Sequence, residues 1–481
     1  MQLFLSTLSV MLILNIILAF VIIFLERKNP ASTWAWLMVL LLIPNIGFIL
    51  YLILGQNLSR QKIFQYKTEE DQIIRKLLLE QISHLQNNEL EYNDKSMVSY
   101  QDMIHMNLIS SDSIFTQDNE VKIFTDGIEK FDELIRSIEE AKDHIHMLYY
   151  IIKNDDISQK IISALTRKAS EGLEVRFLYD AVGGRSLPKN FFKEFKKAGG
   201  KVASFFPFKI PLINLRINYR NHRKLAIIDG EIGFIGGFNI GDEYLGLDKK
   251  FGYWRDTHLK IKGSSVHMIQ TRFLLDWSYA SKEDVNYSEK YYPIINSAGT
   301  TGIQIVSSGP DSEEEQIKNG YIKMINSAKK SVYIQTPYFI PDESVLEALR
   351  IASLSGVDVR IMFPNKPDHM FVYWATYSYI GELLKSGIKA YVYENGFIHA
   401  KTIVVDGKLS SVGTANIDVR SFKLNFEVNA FIYDTVTSSK LKTIFEKDIL
   451  YCTELTNEMY ESRSRKIKFK ESISRLLSPV L

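Results

Sequence analysis

Cysteine is almost missing: Cys452 is the single thiol in 481 residues. That excludes an internal disulfide and a cysteine-built zinc cluster, and it fits a reducing compartment. An excess of one charge is missing too. The 58 Lys and Arg nearly balance the 56 Asp and Glu, for a net charge of +2. A whole-molecule polyanion trap is excluded, although a local basic patch is not. Charge is absent, finally, from the start of the chain: no charged side chain precedes Glu26, and residues 29–59 are again uncharged. What is present is a composition 46% hydrophobic and 24% charged, long enough for two or three folded domains and neither disordered nor fibrous.

The two uncharged stretches predict membrane helices. "LFLSTLSVMLILNIILAFVIIFL" (3–25) and the stretch around "WAWLMVLLLIPNIGFILYLIL" (34–54) each reach the roughly 20 residues needed to span hydrocarbon. A signal peptide is the competing reading of the first, but its apolar run is too long and no A-x-A-like site follows. The expectation is a transmembrane hairpin over 1–55, with helices at about 3–25 and 33–54; a re-entrant or interfacial hairpin is the alternative. Pro44 is expected to kink the second helix, and Trp34 and Trp36 suit an interfacial belt. Arg27 and Lys28 fill the connecting loop, against Arg60, Lys62, Lys67 and Arg75 beyond the hairpin. The positive-inside rule then turns the large remainder toward the cytoplasm.

Beyond a polar, partly helical linker or accessory segment (56–118), the chain repeats itself. "SIEEAKDHIHMLYYII" (137–152) matches "MINSAKKSVYIQTPYFI" (324–340), and "EGLEVRFLYD" (171–180) matches "SGVDVRIMFP" (355–364). Strands alternating with helices in both copies predict an α/β fold: two duplicated α/β/α sandwich domains, 119–296 and 297–457, related by a pseudo-twofold axis. A basic tail, 458–481, follows.

Each copy ends in the same short motif, "NHRKLAIIDG" (221–230) and "IHAKTIVVDG" (398–407). Both read as a strand entering a tight Asp-Gly turn. Alternation puts His222 with Lys224, and His399 with Lys401, on one face. Asp229 and Asp406 fall at the turns, where they stabilise the turn or balance charge rather than attack a substrate. One copy alone would read as an ordinary surface strand; two copies at equivalent places demand more. Ammonium groups beside both imidazoles repel a cation, so no metal is expected, and no organic cofactor is called for. The same groups suit an oxyanion: a phosphate held between two imidazoles and two ammoniums, one imidazole attacking phosphorus and the other moving the proton. Asn239 and Asn416 each lie seventeen residues after their histidine and can donate to a phosphate oxygen. Asp256 in "YWRDTHLKI" and Glu427 in "NFEVNAFIYD", each in the strand after its motif, are candidates to hold the second nitrogen of a histidine.

At these residues, from about 120 to 455, the chain resembles the phospholipase D superfamily, which is defined by paired His-x-Lys-x-x-x-x-Asp motifs. Within it the resemblance is to the bacterial cardiolipin synthase family, through "ERKNPASTWAWL", "GGFNIGDEY", "WRDTH", "QTPYFIPDE", "GTANIDVRSFKLNFEVNA" and the ending "RLLSPVL". The resemblance implies a membrane-bound phosphatidyltransferase of the bacterial cell membrane that joins two phosphatidylglycerol molecules into cardiolipin and glycerol. It also implies His222 as nucleophile and His399 as general acid, an order that the residues alone leave open. A hydrolytic phospholipase D, another phosphatidyltransferase or a membrane-tethered nuclease would use the same residues; the near-neutral charge speaks against nucleic acid.

Other segments carry weaker signals. His144 and His146 form H-x-H on an apolar strand without further ligands for a metal. "FFPFKIPLINLRINYR" (205–220) reads as a loop at headgroup level, because Pro207, Pro211 and interleaved basic residues disfavour the alternative of a core segment. "HMFVYWATYSYIGELL" (369–384) is an aromatic helix that lines an acyl entrance or packs in the core, and the tail at 462–477 binds anionic lipid or stays solvated.

Overall fold

The structure is a computed structural model describing residues 13–26, 30–43, 47, 51, 68–207, 218–283, 285, 288–295 and 299–478. The first half contributes strands β1 (Thr116–Phe124), β2 (His144–Tyr149), β3 (Glu174–Asp180), β4 (Lys201–Phe205), β5 (Arg220–Asn221), β6 (Leu225–Ile228), β7 (Ile232–Gly236), β8 (Trp254–Arg255) and β9 (His258–Lys262). The second contributes β10 (Thr301–Ser308), β11 (Ser331–Gln335), β12 (Phe339–Ile340), β13 (Asp358–Pro364), β14 (Lys389–Tyr393), β15 (Phe397–Ile398), β16 (Thr402–Val405), β17 (Leu409–Gly413), β18 (Ile417–Asp418), β19 (Asn425–Tyr433) and β20 (Cys452–Leu455).

The strand order exposes the duplication. In one half it runs β1-β9-β7-β6-β2-β3-β4, in the other β10-β19-β17-β16-β11-β13-β14-β20, and β1 pairs with β10 to join the two. In each half the first parallel pair, β2–β3 and β11–β13, requires a crossover helix. Those helices, Asp156–Ser170 and Glu343–Leu354, are started by Asp155 and Asp342, whose carboxylates accept a backbone N–H from the first turn.

Strand alternation sorts the side chains into layers. Ala226 and Ile228 face the outer core with Ile161, Leu165 and Phe131 from the helices of the first half. Leu225 and Ile227 face inward, where they meet Val404, Val412, Val428 and Ala430 of the second half. This shared core fixes the two halves against each other. Helix Ser265–Ser281 packs in the same layer.

Two segments differ from the simplest reading of the sequence. Residues 68–111 do not trail between domains: Ile74, Leu78, Met97, Tyr100, Met103, Ile104 and Leu108 complete the core of the second half. Asn107 donates to Gln304 across that core at 3.1 Å. The basic tail also docks. Helix Arg465–Leu476 lies on the aromatic helix Met370–Leu384, with Lys470 Nζ 5.1 Å from the Trp374 ring and Arg475 bonded to Glu382 at 2.5 Å.

Among the described residues no helix is long and apolar enough to cross a membrane. The spans expected at 3–25 and 33–54 lie partly outside those residues, as do Pro44 and most of the loop at 205–220. The described parts, 13–26 and helix Pro30–Leu42, bury Ile22 against Leu40 and Tyr51. They leave Ile16, Ile17, Phe20, Phe24, Trp34, Leu41 and Leu42 exposed.

Candidate active site

The two motif histidines are delivered to one cavity by two short parallel ladders that cross between the halves. In the first, β5 pairs with the start of β19, so the N–H of His222 donates to the carbonyl of Phe426 at 2.9 Å. The next residue on that strand is Glu427, and its Oε2 lies 3.0 Å from His222 Nδ1. In the second, β15 pairs with β8, the N–H of His399 donates to Arg255 O at 2.7 Å, and Asp256 Oδ2 lies 2.6 Å from His399 Nδ1. Each histidine is therefore held by the carboxylate of the other half.

This crossing fixes the chemistry of both rings. Burial works to raise the Glu427 carboxyl, but His222 and Lys224 beside it bring it below the ordinary carboxylate range. The same opposition, burial against His399 and Lys401, leaves Asp256 lowered. An ionised carboxylate only accepts, so each Nδ1 carries the proton and each Nε2 keeps its lone pair. Burial pushes His222 down to about 4, against the pull of Glu427. His399 is lowered as well, by burial and by Lys401. Both rings are neutral near pH 7, the form in which an imidazole attacks or accepts a proton.

Lys224 and Lys401 are buried beside the two histidines. Lys224 Nζ donates to the His222 carbonyl, and Lys401 Nζ donates to that of His399 at 2.7 Å while lying 3.1 Å from the ring nitrogens. Burial drives these ammoniums down, to about 7 and about 8. A phosphate anion arriving between them would restore their charge.

The cavity, about 590 Å³, is lined by His222, His399, Asn239 and Asn416 together with Tyr150, Tyr338, Trp254, Glu243, Arg220 and Arg420. Asn239 is oriented through its Oδ1, which accepts from Ile151 N–H at 3.1 Å, and it donates to the Tyr244 hydroxyl. Asn416 has its side-chain oxygen buried without a partner among the described residues. Tyr150 packs edge-on to His222 at 4.9 Å and Trp254 lies 5.3 Å from His399. Gly237 passes so close to Asp256 that a Cβ there would stand 1.9 Å from Oδ1, which explains a glycine at that point of the small-residue stretch.

Asp229 and Asp406, counted with the motifs in sequence, stand apart from the cavity at the far ends of β6 and β16. Both adopt φ +54°. Asp229 accepts from the N–H groups of Lys142, Asp143 and His144, and Asp406 from those of Lys329, Lys330 and Ser331. They fasten the motif turn to the start of β2 and β11 and touch nothing that could react. His144 and His146 are also elsewhere, under helix Ser265–Ser281, where His146 stacks on Phe273 at 4.7 Å and bonds to Gln270. Among the described residues no group of three or more His, Cys, Asp or Glu is placed to hold a metal ion.

Sequence reasoning missed Tyr150, Arg220 and Arg420. All three lie inside stretches quoted above, yet only the crossing ladders turn them toward the same cavity. It also could not show that Asp256 and Glu427 exchange halves.

A family model described as "Cardiolipin synthase, PLD-like domain" matches twice, at residues 134–259 and 321–449, and a phospholipase D-nuclease N-terminal model matches 13–56. The chain is 58% identical over 475 residues to a cardiolipin synthase of Listeria welshimeri, covering 98% of both chains. It is 57% identical to the major cardiolipin synthase of Bacillus subtilis, again over 98% of each. Among solved structures, phosphatidylserine synthase of Haemophilus influenzae shares the fold, with a TM-score of 0.61 at 16% identity over 79% of this chain and 100% of that one. Two repeats, two carboxylate-held imidazoles in one cavity, and identity sustained along nearly the whole chain carry one conclusion: the chain belongs to the cardiolipin synthase family of phospholipase D-like phosphatidyltransferases.

Proposed function

We propose that this enzyme moves a phosphatidyl group from one phosphatidylglycerol to a second, giving cardiolipin and glycerol. The observation that carries the reading is the pair of neutral imidazoles, each fixed through Nδ1 by a buried carboxylate, on opposite sides of one cavity. His399 first takes a proton from solvent onto Nε2, its positive ring balanced by Asp256. His222 Nε2 then attacks phosphorus, the bond to the glycerol oxygen breaks, and His399 hands that Nε2 proton to the departing glycerol. His399 then takes the proton from the terminal hydroxyl of the second phosphatidylglycerol. That oxygen displaces His222 and forms the second phosphodiester. Lys224, Lys401, Asn239 and Asn416 stabilise charge on the five-coordinate phosphorus.

The acyl chains leave the site past Met370 and Phe371, which line the cavity and stand about half exposed at the start of the aromatic helix. The apolar faces of 13–26 and Pro30–Leu42 suit a segment embedded in lipid, in a hairpin that holds the catalytic halves at the cytoplasmic face of a bacterial cell membrane. Purified enzyme given labelled phosphatidylglycerol in vesicles, with DNA as an alternative substrate, tests the proposal. Cardiolipin should dominate over phosphatidic acid, and DNA should remain intact. Phosphatidic acid as the main product would leave a hydrolase instead.

A further inference from the structure

The reacting groups obey the pseudo-twofold symmetry, but the walls around them do not. Four residues after the paired asparagines stand Glu243 in one half and Arg420 in the other, and both line the cavity. Two residues before the paired histidines stand Arg220 and Phe397. One wall therefore carries two guanidiniums, with the Asp418 carboxylate beside Arg420. Elsewhere the lining carries Glu243, itself bonded to Lys153, and Asp368.

Both arginines are held in place. Arg220 is buried and donates to Asp180 at 3.0 Å. Arg420 is half-buried and donates to the side chain and carbonyl of Asn218 at 3.0 and 2.8 Å; among the described residues these are its hydrogen bonds. A guanidinium has five N–H donors, so Arg420 retains donors for a ligand in the cavity. Tyr150 links them to the chemistry: its ring centroid lies 4.9 Å from that of His222, and it lines the same cavity as Arg220 and Arg420.

The reaction itself supplies an anion for this wall. Phosphatidylglycerol as donor brings one phosphate, and that phosphate reacts. The acceptor brings a second, which never reacts and sits one glycerol away from the hydroxyl that attacks. A planar, permanently charged fork is the side chain that matches such a phosphodiester.

We infer that Arg420, backed by Arg220, binds the non-reacting phosphodiester of the acceptor lipid, and so selects an anionic phospholipid over water or a neutral alcohol as the second substrate. The inference rests on the phosphatidyl-transfer reading above and adds to it an acceptor subsite. By microscopic reversibility the same arginines hold the spectator phosphate of cardiolipin when glycerol drives the reaction backward. They have no such phosphate to hold when glycerol exchanges with the headgroup of phosphatidylglycerol, because only one phosphate is then present.

That difference is the test. Full-length Arg420→Gln, Arg420→Lys and unmodified enzyme are compared in two assays on the same vesicles: cardiolipin formation, and exchange of labelled glycerol into phosphatidylglycerol. In Arg420→Gln the ratio of cardiolipin formation to glycerol exchange should fall about 10- to 100-fold, the worth of a charge-assisted bond to phosphate. Phosphatidic acid should rise, and Arg420→Lys should recover part of the ratio. Equal loss in both assays would make Arg420 a structural residue, and an unchanged ratio would place the acceptor elsewhere; either result overturns the inference. Soluble acceptors separate a lipid site from a free-phosphate site. Glycerol 3-phosphate should outcompete glycerol as acceptor, and the preference should vanish in Arg420→Gln. Inorganic phosphate that binds without competing with phosphatidylglycerol would overturn the acceptor assignment. Absence of glycerol exchange in the unmodified enzyme would instead sink the transfer reading itself.

Discussion

Replacing Glu427 by glutamine removes a charge and almost nothing else. The side chain is fully buried, it lies 3.0 Å from His222 Nδ1, and it also accepts from Asn425 at 3.2 Å. Glutamine keeps the length and can keep an oxygen on Nδ1–H. What it cannot do is balance the positive ring created when Nε2 bonds to phosphorus. A unit charge about 4 Å away at an effective dielectric near 20 is worth about 4 kcal/mol. Exchanging a charged acceptor for a neutral one alone is worth about 2 kcal/mol. Formation of the phosphatidyl-enzyme should therefore slow by about 30- to 1000-fold. Rapid quenching with labelled phosphatidylglycerol reads that step directly. Asp256→Asn should behave differently: its partner is His399, so the adduct should form and then persist because proton transfer to and from His399 is impaired. Adduct accumulation in Glu427→Gln but not in Asp256→Asn would refute the crossed pairing. So would a loss of less than threefold in Glu427→Gln.

Acid should destabilise the fold before it protonates the site. Burial takes His146 down to about 3 and His222 to about 4, below the roughly 6.5 of an unfolded histidine, so the unfolded chain binds protons first. The stability these rings contribute is complete above about pH 6.5 and drains away as pH falls toward those values; Tm should drop between pH 7.5 and 5, and His146→Gln should flatten the slope. Arg223 makes two bonds to buried Asp276, at 2.8 and 3.0 Å, and others to the carbonyls of Glu427 and Ser308. Arg223→Ala should cost about 3–5 kcal/mol in denaturant unfolding, because Asp276 keeps its charge in the core, although Arg272 still reaches it. Chelators should leave turnover unchanged, since imidazoles and ammoniums already supply nucleophile, acid and charge; inhibition reversed by added metal would contradict this. Deleting residues 1–55 should lower activity on bilayers more than on detergent-dispersed lipid, and equal loss on both would mean the segment supports the site.

Much of the centre was readable from spacing alone. His222 and Asn239, and His399 and Asn416, keep the same separation because two copies of one supersecondary unit place them. The alternation of β6 and β16 follows directly from period two. What spacing could not carry was the exchange of Asp256 and Glu427, because β5–β19 and β8–β15 pair residues about 205 and 143 apart in sequence. Local pattern holds no information on such pairings. The burial of 68–111 was hidden for a similar reason: its apolar residues show helical spacing, but the surface they cover lies on β10 and helix Gln316–Ser327 of the second half. At the tail the lysines and arginines suggested solvent or lipid, and Arg465, Lys466, Lys468 and Lys470 do stand exposed. Charge gave no sign of the inner face, where Glu471 is buried and bonds to Arg463 at 2.8 Å.

The crossed ladders have a consequence for how this chain can change. A half cut out by itself would keep its imidazole and lose the carboxylate that orients it, and would carry a carboxylate with no ring to serve. Two fragments split near residue 298 should each be inert and should regain turnover only when mixed, since neither contains a finished reaction centre. The arrangement is that of a symmetric dimer whose members have traded a residue and then been joined by a peptide link. Once joined, the traded residues must be inherited together, while the surrounding walls are free to specialise. A single chain thus keeps two matched catalytic groups around one cavity and gains two different walls.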